Sequence, residues 1–93
     1  MERQPIRGTG KELKAILIFL NELGGGMQRV RDIAKGVDVN GRKAVRLVNY
    51  AMDKNWIYCD CPGYVRIDDR CRIAAAGVEK LQTWQDEDDE LSI

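Results

Sequence analysis

Residues 37–57 read VDVNGRKAVRLVNYAMDKNWI. Asp38-Val39-Asn40-Gly41 has the composition of a turn, and Asn40 is a good N-cap because its side-chain oxygen can take a first-turn backbone N–H. Ala44, Leu47, Val48 and Ala51 then recur at helical spacing, with Met52 beside them. That pattern predicts a helix from about Gly41 to Lys54 with one apolar stripe. Arg42, Lys43, Arg46, Asn49 and Tyr50 fall on its other faces. From Trp56 the period changes to two: Ile57, Cys59 and Cys61 alternate with Tyr58 and Asp60, a strand pattern. A capped helix with a basic outer side therefore runs directly into a strand.

Upstream, Leu13, Ile16, Leu17, Leu20 and Leu23 recur at helical spacing, and Ala15, Ile18 and Phe19 widen the apolar arc. A helix apolar over so much of its girth is covered on two sides. The second cover is another element or another subunit, so Ile18 and Phe19, or else the last helix, are the candidate homodimer contacts. Thr9 to Glu12 fits a capping box, which starts this helix at Thr9. Residues 1–8, with Pro5 and Gly8, then read as a flexible arm. Gly24-Gly25-Gly26 ends the helix. Met27 to Arg29 suits a short strand, and Val30, Ile33, Ala34 and Val37 a helix of about two turns.

Downstream, Pro62-Gly63 and Asp68-Asp69 are both turn signals. Val65 and Ile67 alternate around Arg66, and Cys71 and Ile73 around Arg72. A hairpin turning at either site, or three strands using both, fits equally well. Ala74 to about Gln85 forms a last helix with Gly77, Val78, Leu81 and Trp84 inward. Residues 86–93 read as an acidic tail, disordered or only partly helical.

The chain has 93 residues, 3 Cys, no His and a formal net charge of zero. Its length suits one domain with a small core. No apolar run is long enough to span a bilayer, and no secretory cleavage pattern appears, so the expectation is a soluble, cytoplasmic protein. Lack of His removes the commonest general base and metal ligand. No nucleophile triad, phosphate-cradling Gly loop or dinucleotide fingerprint is present, so neither enzyme activity nor a cofactor is expected. The odd Cys count argues against a disulfide framework. Cys59, Cys61 and Cys71 share strand parity, so a three-thiolate metal or redox site is conceivable; the plainer reading is small apolar side chains facing the core. Neutrality hides a segregation: Asp86, Glu87, Asp88, Asp89 and Glu90 hold a third of the 15 acids, leaving the body basic.

The order α-(β)-α-α-β-β-α, mainly α with a small β-hairpin wing (α+β), resembles the winged helix-turn-helix domain of prokaryotic regulators over about residues 9–85. Three stretches carry the resemblance. Ile33-Ala34-Lys35-Gly36-Val37-Asp38-Val39-Asn40 matches that family's second helix and turn. Ala51-Met52-Asp53-Lys54-Asn55-Trp56-Ile57 matches its exit into the wing, with Asn55 where Gly is usual; Asn tolerates the left-handed conformation that position needs. Ile73-Ala74-Ala75-Ala76-Gly77 matches the segment after the wing, with Ala74 replacing the usual Thr.

The resemblance implies a regulator of transcription that binds double-stranded DNA. Its third helix would read the major groove through Arg42, Lys43, Arg46 and Asn49, since Arg pairs with guanine and Asn with adenine. Arg29, Arg31, Asn40 and Tyr50, with Arg66, Arg70 and Arg72 in the wing, would hold phosphates. Each set has a plainer reading: a solvated helix face, and a strand side paired with Asp60, Asp68 or Asp69. A winged helix used only to bind protein, such as one from a virus or mobile element acting on host machinery, is the rival, favoured by neutrality and by the acidic tail as a protein-binding segment.

Overall fold

The computed structural model describes the backbone of residues 3–61 and 63–92, and the side chains of residues 11–61 and 63–84. Four helices and three strands follow one another: α1 (Arg3–Glu22), β1 (Gln28–Arg29), α2 (Val30–Val37), α3 (Gly41–Asp53), β2 (Ile57–Cys59), β3 (Arg70–Ile73) and α4 (Ala75–Ser92). The strands form one antiparallel sheet in the order β1-β3-β2. This is the α+β, winged architecture expected from the sequence.

The apolar periodicities become a single core. Leu13, Ile16, Leu17 and Leu20 of α1 meet Val30, Ile33 and Ala34 of α2, and Ala44, Leu47, Val48 and Ala51 of α3. Ile57, Cys59, Cys71 and Ile73 close it from the sheet, and Leu81 from α4. Among the described residues no polar or charged side chain is buried as a whole. None of the described helices is long and apolar enough to cross a membrane.

Local stereochemistry sets the joints. Gly24 and Gly25 turn the chain after α1 at positive φ, a region open to glycine at little steric cost. Asp38 ends α2 in the left-handed region, its N–H reaching back to Ala34 and Lys35. Asn55 takes φ 68° in the tight exit from α3. Gly77 lets the first turn of α4 lie against the strand entry: a Cβ there would collide with the Trp56 carbonyl oxygen and lie 2.9 Å from Ile73 Cγ1.

Four expectations change. Helix α1 begins at Arg3, so Thr9 lies inside it. Pro5 falls in the first turn, where its missing N–H is not needed, and isolated glycines weaken a helix without ending it. The arm expected over residues 1–8 is therefore largely helical, and Met1 and Glu2 lie outside the described residues. Helix α4 runs on to Ser92 through the acidic segment, which contains no Gly or Pro to stop it. Phe19, expected at a dimer contact, is used within the fold: a Cβ on Gly36 would strike its ring, so α1 and α2 approach closely there.

The cysteines carry the fourth change. Cys59 and Cys71 are directly opposite on β2 and β3, both buried, and joined in a disulfide with Cα atoms 4.1 Å apart. The odd count concealed one cross-strand bond and one free thiol, Cys61. Two of the three sulfurs are thus unavailable as thiolates, which removes the three-thiolate site. Among the described residues no group of His, Cys, Asp or Glu is placed to hold a metal.

Candidate nucleic-acid interface

The connection between β2 and β3 determines what α3 presents. None of the arrangements expected from the turn signals occurs, neither hairpin nor the three strands: β2 stops at Cys59, β3 starts at Arg70, and the described residues 63–69 between them fold back onto the helices. Val65 is fully buried. Its backbone N–H donates to Asn49 Oδ1 (2.7 Å), and its carbonyl accepts from Asn49 Nδ2 (2.9 Å). The carbonyls of Ile67 and Asp69 accept from the backbone N–H groups of Arg31 and Val30, both at 3.0 Å. These first-turn donors of α2 have no partner within their helix, so the wing caps it. Ile67 also rests on Gly41, where an added Cβ would lie 3.1 Å from Ile67 Cδ1.

This clamp sorts the residues of α3. The Asn40 side chain accepts from Lys43 N at 2.8 Å, so it caps the helix instead of facing a phosphate. Lys43 turns towards α1, its Nζ 2.6 Å from Glu12 Oε1. That buried oxygen has no hydrogen bond of good geometry, so the ion pair compensates for its burial. Asn49 also donates to Val45 O at 2.7 Å. Both donors and the acceptor of Asn49, expected on a base edge, are thus engaged with Val45 and Val65. Arg42 and Arg46 remain: both are exposed, one turn apart, and without an ion-pair partner among the described residues.

Tyr50 follows on the same edge, 48% exposed. Its ring meets Trp56 edge-on at 6.2 Å, with Lys54 Nζ 5.5 Å above it. Trp56 in turn meets Trp84 at 5.4 Å, which fastens the exit of α3 to α4.

Tyr64 is the residue that pattern reading missed. It is 64% exposed and borders two hollows beside α3. One, of about 450 Å³, is lined by Gly41, Arg42, Val45, Arg46 and Ile67 as well as Tyr64. The other, of about 460 Å³, adds Asn49, Tyr50, Met52, Asp53 and Gly63 to Arg46 and Tyr64. Its available signal was an aromatic one residue beyond Pro62-Gly63, where no strand face needed filling.

The remaining candidates divide. Arg31 is paired with Asp68 across the wing. Arg66 is exposed, its backbone N–H held by Asp69 Oδ2 at 2.8 Å in the turn of residues 66–69. Arg29, Arg70 and Arg72 stand on the outer face of the sheet instead of beside α3.

Cys61 lies at the root of the loop. Partial burial pushes its thiol above the ordinary value, followed by the charge and hydrogen bond of Asp69 and the charge of Asp60. The reactive thiolate is therefore suppressed at neutral pH. Iodoacetamide should alkylate Cys61 more slowly than a small free thiol at pH 8, and Asp69→Asn should accelerate it. Equal rates in both proteins would show that the carboxylate does not control this sulfur.

No family model matches the chain, and no curated protein does. Solved structures do. A variant of MepR from S. aureus is similar with a TM-score of 0.68 and 20% identity over 87% of this chain. The chain spans 59% of that protein's length. AF1382 from Archaeoglobus fulgidus gives 0.64 and 18%, covering 90% of each chain. A possible transcriptional regulatory protein of Mycobacterium bovis (fragment 1–100) gives 0.58 and 19%, covering 94% of this chain and 98% of its own. At such identities the likeness is one of fold. Together with the helix order and the wing clamped onto α3, it identifies the fold as a winged helix-turn-helix.

Proposed function

We propose that this protein binds double-stranded DNA through the exposed edge of α3 and acts as a sequence-specific regulator of transcription. One observation carries the reading: Arg42 and Arg46 project from successive turns of α3, with no carboxylate to neutralise them among the described residues and with exposed Tyr64 alongside. A helix of this size fits the major groove, and arginine can bond two acceptors of guanine at once. Tyr64 and Arg66 would meet the backbone beside the groove, and the clamp holds them in register with the helix. Lys43, Asn49 and Asn40 act from behind, by packing and capping.

Fluorescence anisotropy with a labelled random duplex at two salt concentrations tests this. Binding should weaken as salt rises, because each neutralised phosphate releases counterions. Arg42→Ala/Arg46→Ala should weaken it about tenfold and flatten its salt dependence, because on a random duplex the two arginines act through the phosphate charge they neutralise. Absence of salt-sensitive binding in native protein would sink the reading and leave the face for a protein partner.

A further inference from the structure

The sheet has an outer face that neither the core nor the α3 interface uses. Ile57, Cys59, Cys71 and Ile73 point inward, so the alternate residues Tyr58, Arg70 and Arg72 point outward. Exposed Arg29 of β1 joins them. Register then brings them together: Arg29 is directly opposite Arg70, and Arg72 directly opposite Tyr58.

Arg29 and Arg70 have no ion-pair partner among the described residues. Like charges directly opposite across an antiparallel pair repel. An anion seated between the two guanidinium groups would remove that repulsion. Asp60, exposed and next in register opposite Arg70, whose carbonyl its N–H bonds at 2.9 Å, forms no ion pair with it; with Asp69, the residue before Arg70, it bounds the basic patch on the β2 side. Two residues from Arg70, about 7 Å along the strand, the Arg72 guanidinium lies 5.0 Å from the centre of the Tyr58 ring. That ring is 50% exposed. Half-exposed, it contributes little to the core and offers a flat surface held in place by a cation.

We infer that this outer face binds single-stranded nucleic acid, with phosphates on the Arg29–Arg70 pair and an unpaired base against Tyr58 and Arg72. A basic track beside an aromatic ring is the combination that such strands require. A duplex hides its base faces in the stack and cannot use the ring. The site is separate from the α3 edge, so its existence does not depend on the duplex reading.

The test uses the full chain and a fluorescein-labelled 20-nucleotide oligothymidylate, with the random duplex as a second probe, both at low salt. Melting curves first establish that each variant is folded. Arg29→Ala/Arg70→Ala should weaken oligothymidylate binding at least about tenfold. Tyr58→Ala should weaken it at least about fivefold, while Tyr58→Phe, which keeps the ring, should bind within about threefold of native protein. Duplex binding should change less than about threefold in all three. No binding of oligothymidylate by native protein would overturn the proposal. So would equal losses on both probes, which would make the sheet part of one duplex surface. Indifference to Tyr58 would also overturn it, reducing the face to unspecific charge. A dimer that the double arginine substitution dissociates, with oligothymidylate unbound, would overturn it in favour of docking between copies.

Discussion

Asn49→Ala should destabilise the protein by about 3 kcal/mol and release the wing from α3. Three hydrogen bonds disappear, to Val45 O, Val65 O and Val65 N. Two of them satisfy the backbone of a residue whose side chain is fully buried. A buried donor or acceptor left without a partner costs about 1–3 kcal/mol, more than the bond's net worth. At this chain length the change corresponds to a fall of roughly 12–24 °C in Tm, read by thermal unfolding. Asn49→Asp should not rescue it: the carboxylate can accept from Val65 N, but it faces two carbonyl oxygens that need donors. If Asn49→Ala instead left Tm within about 4 °C and weakened duplex binding, Asn49 would be a base reader after all. The same experiment therefore separates the structural role from the one expected from sequence.

Loss of the Cys59–Cys71 disulfide should lower stability by about as much. The bond closes a loop with a sequence separation of 12. The chain-entropy estimate for a loop of that size is about 3 kcal/mol. The loop contains the segment that caps α2 and grips Asn49, so a looser wing follows from the lost constraint. Native protein should melt lower in excess dithiol, whereas Cys59→Ala/Cys71→Ala should melt low in either condition. Alkylation under denaturing conditions should label one cysteine before reduction and three after. Three labels without reductant, or a Tm indifferent to dithiol in native protein, would show that the bond is absent in solution.

Local features were legible in the chain. The helix from about Gly41 to Lys54 is observed as Gly41–Asp53, because an Asn cap and a 3.6-residue stripe are written into neighbouring positions. The glycine stop after α1 and the left-handed Asn55 were legible for the same reason: each is a property of one or two residues. The start of α1 was misread because Thr9 resembles a cap, and a cap signal does not exclude an earlier helical turn.

What distant residues do to one another lay beyond the sequence. Strand parity put Cys59 and Cys71 on one face; only the register of β2 against β3 made them opposite and bonded. Composition placed fifteen basic residues in the chain; only packing assigned Lys43 to Glu12 and Arg31 to Asp68, leaving Arg42 and Arg46 beside Tyr64 with no ion pair among the described residues. Helical and strand periods are set by covalent geometry within a few residues, so the sequence alone determines the elements and their order. Which polar group is consumed by the fold and which is left for a partner depends on contacts between residues far apart in the chain, and those exist only once the wing has folded back onto α2 and α3.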